Sequence, residues 1–135
     1  MTFKTPEALE DFAANFAQQL KAGTVLILSG VMGAGKTTFV RGLARGLGTH
    51  NPVSSPTYTY IHEYASPKGQ IVHIDAYRLE NPNKLWAMGL AEYLESAFVT
   101  VIEWGEGLEI FEAMTIRFEI LEYGRQLEIV GELPV

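Results

Sequence analysis

The chain has no cysteine among its 135 residues, which removes disulfides and thiolate metal sites from consideration. Its three histidines are scattered, so a zinc site is not expected either. Basic residues are scarce: ten Lys and Arg stand against sixteen Asp and Glu, a formal net charge of −6. Broad, autonomous nucleic-acid binding needs a basic surface to neutralise phosphates, and this balance argues against it. No apolar run reaches the roughly 20 residues of a bilayer-spanning helix. The opening residues, Met1 to Pro6, lack the apolar core of a secretory signal. The expectation is a cytoplasmic protein of one domain, 1–135, long enough for a single core.

What is present is phosphate chemistry. Gly30-Val31-Met32-Gly33-Ala34-Gly35-Lys36-Thr37 reads G-x-x-x-x-G-K-T, the P-loop pattern. Gly30, Gly33 and Gly35 permit positive φ and let backbone approach an anion without a Cβ in the way. Successive N–H groups then form a concavity at the positive end of the following helix. Within it Lys36 would reach the β- and γ-phosphates of ATP, and the Thr37 hydroxyl would ligate Mg2+. The loop residues expected at the nucleotide are Gly30, Met32, Gly33, Ala34, Gly35, Lys36, Thr37 and Thr38. The flanks support the motif. Thr24 to Leu28 is a short apolar run suited to a buried parallel strand. Phe39, Val40, Leu43, Ala44 and Leu47 then recur at helical spacing, with Gly48 as a stop.

Earlier in the chain, Thr5 and Pro6 form a helix start, and Leu9, Phe12, Ala13, Phe16, Ala17 and Leu20 mark one apolar face. Gly23 is the expected helix end, and the helix is expected beside the first strand. Arg41 and Arg45, four apart after the P-loop, are read as solvated surface. A polar loop, Thr49 to Thr57, leads into an alternating segment, Tyr58 to Tyr64, and a turn at Ser66 to Gly69. Near a nucleotide site such a loop reads either as a switch or as an ordinary connection.

Two further apolar strands end in carboxylates. Gln70 to Ile74 delivers Asp75, and Phe98 to Ile102 delivers Glu103 and Trp104. In a P-loop protein an aspartate at a neighbouring strand end helps hold Mg2+, although strands also end in Asp merely to start a turn. Ligands of open α/β sheets sit at those ends, so Glu103 and Trp104 are expected to face the nucleotide. His73, inside its strand, reads as a satisfied core histidine. Arg78 reads equally as a phosphate contact or an ion-paired surface residue. Leu85 to Leu94 is expected to be partly helical, and a short helix is expected at 107–113. The tail alternates at Ile116, Phe118 and Ile120, turns at Tyr123-Gly124, and returns as a hairpin strand. An α/β fold with a mixed sheet follows, parallel at the centre with an antiparallel C-terminal hairpin at an edge.

Taken together, the P-loop, Ser55-Pro56-Thr57-Tyr58, His73-Ile74-Asp75-Ala76-Tyr77-Arg78-Leu79 and Ile102-Glu103-Trp104-Gly105 occur in the order and spacing of one family. Over essentially its whole length the chain resembles the TsaE (YjeE) family, bacterial ATPases needed for threonylcarbamoyladenosine modification of tRNA. The resemblance implies a three-layer P-loop NTPase-like fold and weak Mg2+-dependent ATP hydrolysis. It also implies action on a TsaD–TsaB transferase pair that carries out the group transfer, with tRNA met only through that complex. It assigns phosphate binding to Lys36, and Mg2+ to Thr37 together with the switch threonine Thr57. Asp75 would be the catalytic or metal-organising carboxylate and Glu103 a magnesium-shell residue. Both are candidate catalytic residues, either of which would position the attacking water, and Trp104 would be a neighbour of the nucleotide. One departure is that Val31 and Met32 stand where the family usually has Asp-Leu, which implies slower or more partner-dependent turnover.

Other classes fit less well. The loop also resembles that of small-metabolite kinases, but none of Arg41, Arg45, Arg78, Arg117 and Arg125 sits in an obvious lid insert. Asn83-Lys84-Leu85-Trp86 begins like a guanine-reading box but has Trp86 where an aspartate belongs. A nucleotide-gated binding module with incidental turnover remains the alternative from a different class.

Overall fold

The structure, a computed structural model, describes residues 1–49, 61–110 and 112–131. The expectations placed on Ser55, Pro56, Thr57 and Tyr58 lie outside the described residues. In chain order the elements are β1 (Thr2–Phe3), α1 (Pro6–Ala17), β2 (Thr24–Ser29), α2 (Lys36–Gly46), β3 (Ile61–Ser66) and β4 (Gly69–Asp75). They continue with α3 (Lys84–Ala87), α4 (Leu90–Ser96), β5 (Val99–Glu103), β6 (Met114–Leu121) and β7 (Gly124–Val130). The strands form one seven-stranded sheet in the order β1-β7-β6-β2-β5-β4-β3.

Helix α1 starts as its sequence dictates. Thr5 accepts the Ala8 N–H at 3.1 Å through Oγ1, and Pro6 occupies the first turn, where its missing N–H costs nothing. The helix ends at Ala17, six residues before the expected Gly23. Three successive short-range bonds tighten and close it there: Gln18 N–H to Asn15, Gln19 N–H to Phe16 and Leu20 N–H to Ala17. Gly23, at φ 90°, instead turns the chain into β2 and donates its N–H to Phe98 O.

Strand β2 is the axis of the sheet. It is paired in parallel with β5 on one side and β6 on the other, which is why its run of Val, Leu and Ile is buried on both faces. The expected hairpin at the C-terminal end is present, but its first strand, β6, is no edge element. It joins the parallel centre, and β7 with the two-residue β1 carries the antiparallel edge. The alternating residues Met114, Ile116 and Phe118 of β6 are all buried on the face toward α1 and α2.

Helices cover the two faces in separate layers. Helices α1 and α2 pack with Leu26, Leu28, Ile71, Val99, Val101, Met114 and Ile116 into one cluster. Leu85 and Leu90 pack with Val25, Val72, Ile74 and Ile102 into the other. A ladder of rings, Phe3–Phe12–Phe16–Phe39–Phe118, with successive centroids 5.1 to 6.0 Å apart, ties β1, α1, α2 and β6 together. Helix α1 lies against α2 as well as over the sheet, and Arg45 is held there by Asp11 at 2.6 Å. The helix expected at 107–113 is not formed by the described residues of that stretch. Gly107 at φ 94° and Glu112 at φ 62° both leave the right-handed region. Leu108 and Ile110 instead pack beneath isolated turns in the second cluster.

The α1–α2 contact leaves no room at Gly42. A Cβ there would fall on the Glu10 carbonyl oxygen and within 2.7 Å of Ala13 Cβ. Alanine is the better helix former by about 1 kcal/mol, yet Gly42→Ala should destabilise by about 1–3 kcal/mol because the helices must separate. Urea unfolding checks this: the midpoint should fall with the slope unchanged, and a raised midpoint would show that the contact is loose.

Candidate functional site

Parallel pairing places the ends of β2, β5 and β4 side by side. Leu28 is the register partner of Glu103, and Glu103 is the partner of Asp75. In β4 and β5 the odd-numbered Ile71, Val99 and Val101 face α1 and α2, so period two puts His73, Asp75 and Glu103 on that same face. The P-loop crosses just beyond β2 and delivers Lys36 to the first turn of α2.

The loop conformation uses its glycines. Gly30 is at φ 149° and Gly35 at φ 110°. A Cβ on Gly30 would lie 2.7 Å from Phe118 O, and one on Gly35 would lie 2.7 Å from Leu9 Cδ2. Lys36, the first residue of α2, is buried, with its ammonium folded back across the loop. Its Nζ donates to Gly30 O at 2.6 Å and lies 3.7 Å from the centre of the Trp104 ring. A desolvated cation–π contact of this kind is worth about 2 kcal/mol. Burial lowers the Lys36 pKa, and Glu103, Glu106 and Asp75 act in the opposite direction.

Trp104 reaches that position from a strained backbone, φ 61°, where an L-residue costs of order 1–2 kcal/mol. Tyr77 supports the indole with ring centroids 5.0 Å apart. Asp75 sets up this support. Its Oδ1 accepts the Tyr77 N–H at 2.9 Å in an Asx turn, so the carboxylate both starts the turn and lines the site. Burial raises the Asp75 pKa. The Tyr77 N–H opposes that shift, Glu103 adds to it, and His73 and Lys36 oppose it. Glu103 is buried and receives His73 Nε2 at 2.5 Å through Oε2. His73 is therefore in the core, as expected, but its Nδ1 has no partner among the described residues.

These groups surround a cavity of about 270 Å³ lined by Met32, Gly33, Gly35, Lys36, Thr37, Thr38, Asp75, Tyr77, Glu103 and Trp104. Of the residues read from the sequence, Gly30 and Ala34 do not line it. Gly30 stands behind the loop, holding Lys36, while Ala34 is buried in the core with its N–H committed to Val31 O. Met32 and its neighbour Val31 are 65% and 60% exposed at the lip, where they present apolar surface. Arg78 is exposed and outside the lining. Tyr77 went unassigned, although its spacing from Asp75 was visible in the sequence.

A second hollow of about 200 Å³ adjoins the first through Gly33, Gly35 and Thr38, and is bounded by Phe3, Lys4, Thr5, Pro6, Leu9, Gly124 and Arg125. Arg125 donates to Gly33 O at 3.2 Å and braces the loop. Nothing local in the sequence signalled these residues, because β1–β7 pairing brings them there. Among the described residues no three His, Asp or Glu side chains group into a self-sufficient metal site. None of the described helices is long and apolar enough to cross a membrane.

A glycine loop between a parallel strand and a helix, closed by a lysine and faced by strand-end carboxylates, defines a P-loop protein. The family model described as "Threonylcarbamoyl adenosine biosynthesis protein TsaE" matches residues 3–128, and the chain belongs to that family. It is 33% identical over 129 residues to the tRNA threonylcarbamoyladenosine biosynthesis protein TsaE of Haemophilus influenzae, covering 90% of this chain and 82% of that one. To the protein of the same name from Nostoc it is 39% identical over 120 residues, 83% of this chain and 73% of the other. The crystal structure of Bacillus subtilis YdiB superposes with a TM-score of 0.81 at 31% identity, covering 97% of this chain and 83% of that one.

The burial that raises the Asp75 pKa has a stability consequence. The resulting penalty on folding grows as the pH rises out of the ordinary carboxylate range, is complete above the raised value and vanishes below that range. Asp75→Asn keeps an Oδ1 for Tyr77. In buffer free of nucleotide and magnesium the variant should melt above the wild type at neutral pH, and the gain should disappear as the pH falls through the carboxylate range. A melting difference independent of pH would contradict this account.

Proposed function

We propose that this protein binds Mg2+-ATP at the P-loop and hydrolyses it slowly, in support of threonylcarbamoyladenosine modification of tRNA. The observation that carries the reading is the buried Lys36 ammonium at the N-terminus of α2, facing the cavity's two carboxylates. A buried cation whose pKa is lowered by desolvation is matched to an incoming polyanion. Gly33 and Gly35 present backbone to the cavity without a Cβ, which suits an approaching phosphate. The second hollow, which shares Gly33, Gly35 and Thr38 with the first, suits the adenosine end, with Lys4, Thr5 and Arg125 along its wall.

Thr37 and Asp75 offer hard oxygen donors, and among the described residues too few carboxylates gather to hold an ion without phosphate oxygens. That combination fits Mg2+ rather than Ca2+. When bound, Mg2+ neutralises charge developing on the transferred phosphoryl group. Lys36 would leave Gly30 O for the phosphates, and Trp104 would release its ammonium face. Asp75, half-buried and with its pKa raised, is the better-placed carboxylate to take a proton from the attacking water. Glu103, engaged by His73, serves the magnesium shell. Thr57 keeps its proposed place as the switch threonine.

Among the described residues no arginine lines the first cavity, in keeping with slow turnover by the protein alone and acceleration by a partner. The same observation disfavours a metabolite kinase with an arginine lid. By family membership the partner is the TsaD–TsaB transferase, with tRNA reached through it.

Lys36→Ala should weaken ATP binding at least about tenfold, the smallest loss expected from a charge-assisted contact of roughly 1.5–3 kcal/mol. Asp75→Asn should still bind ATP while turning over about 100-fold more slowly. Titration followed by Trp104 fluorescence, in a Trp86→Phe background, reads the first, and phosphate release reads the second. Phosphate release should rise when TsaD, TsaB and tRNA are added, with more than one modified tRNA per TsaD. ATP affinity unchanged by Lys36→Ala would remove the P-loop assignment. Release indifferent to the partners, with no effect on modification, would remove the proposed role.

A further inference from the structure

Strand β4 is an improbable place for an imidazole. Ile71, Val72 and Ile74 around it are fully buried, and His73 is itself 0% exposed. An aliphatic residue would fill the same space without desolvating two ring nitrogens. One of those nitrogens stays uncompensated, since Nδ1 is the buried side-chain polar atom without a hydrogen-bond partner among the described residues. Such an atom carries an uncompensated desolvation cost and calls for an explanation other than packing.

The other nitrogen supplies one. Nε2 lies 2.5 Å from Glu103 Oε2. An imidazole N–H donating to a carboxylate oxygen is the arrangement this contact fits. Glu103 is also fixed through its backbone, whose carbonyl accepts the Ala76 N–H at 2.9 Å. With Oε2 and the main chain both held, rotation of the carboxylate is frozen, and Oε1 is the oxygen left for the cavity that Glu103 lines.

We propose that His73 is a positioning residue of the site: its Nε2–H clamps Glu103 Oε2 and sets the rotation at which Oε1 meets the metal shell. The inference rests on the reading of Glu103 given under the proposed function. The clamp is built into the folded protein before any ligand arrives, because both partners sit inside the sheet. It adds precision rather than a reacting group, as hydrogen-bonded outer partners do for metal ligands generally.

Two experiments test it. His73→Leu keeps the apolar volume and removes the donor. It should bind nucleotide without magnesium as the wild type does, yet lose about 10–100-fold in turnover at saturating Mg2+-ATP. His73→Gln, whose amide nitrogen reaches close to the place of Nε2, should restore most of that loss. Full activity in His73→Leu would overturn the proposal. So would equal losses in both variants that track a fall in melting temperature, which would make His73 a packing residue.

The second readout uses the wild-type fold without ligand. In protein carrying 15N-labelled histidine, His73 should show a slowly exchanging proton on Nε2, and Glu103→Gln should shift that resonance. Its absence, or its indifference to Glu103→Gln, would overturn the clamp whatever the turnover measurements say, including where the leucine variant does not fold. A wild type that hydrolyses no ATP but shows the bonded proton would instead sink the functional reading and leave the clamp standing.

Discussion

Parallel register between β2, β5 and β4 is the constraint on which the site depends. In a parallel sheet the chain ends on the same side of every strand, so whatever follows each strand arrives at one edge. Here the three arrivals are the P-loop, the Glu103–Trp104 pair and Asp75. A slip of one residue in any strand would turn Asp75 or Glu103 to the opposite face, into the cluster built on Leu85 and Leu90. That slip is costly because it would bury a carboxylate without a partner among Val25, Ile74 and Ile102. Hydrophobic burial therefore sets the positions of the charges.

Once placed, those charges carry a desolvation cost that the fold spreads over several contacts. Lys36 is eased by Gly30 O and the Trp104 ring, Asp75 by the Tyr77 N–H, and Glu103 by His73. Lys36 and Asp75 are each displaced by burial toward their neutral forms. Two groups biased in this way have most to gain from a charged ligand, since phosphate restores a counter-charge to the lysine and a divalent ion restores one to the aspartate. The strained backbone at Trp104 belongs to the same economy. It turns the indole over Lys36, and Tyr77 holds it there.

Legibility from the sequence follows the range of the interactions. The P-loop, α2 and its apolar face, and the strands ending in Asp75 and Glu103 were all readable, because each is written in a few consecutive residues. The N-cap at Thr5 was readable for the same reason. The insertion of β6 beside β2 was not, since alternation tells which face is buried but not which neighbour lies alongside. The helix read at 107–113 failed because the backbone at Gly107 and Glu112 leaves the right-handed region. Nor could spacing reveal that His73 meets Glu103, thirty residues away. The wall formed by Lys4, Thr5 and Arg125 likewise exists only after the two ends of the described chain have paired.

The position of β2 also fixes the order in which the protein can be built. Its partners are Val99–Glu103 on one side and Met114–Arg117 on the other, all at least 70 residues downstream. A growing chain that has displayed residues 1–95 holds the whole P-loop sequence but neither strand that flanks it. Contacts this distant are slow to form and leave apolar strands uncovered in the meantime. The phosphate cradle, written early in the chain, is thus among the last structures to be completed during synthesis. A truncated or stalled product would carry the motif without the pocket.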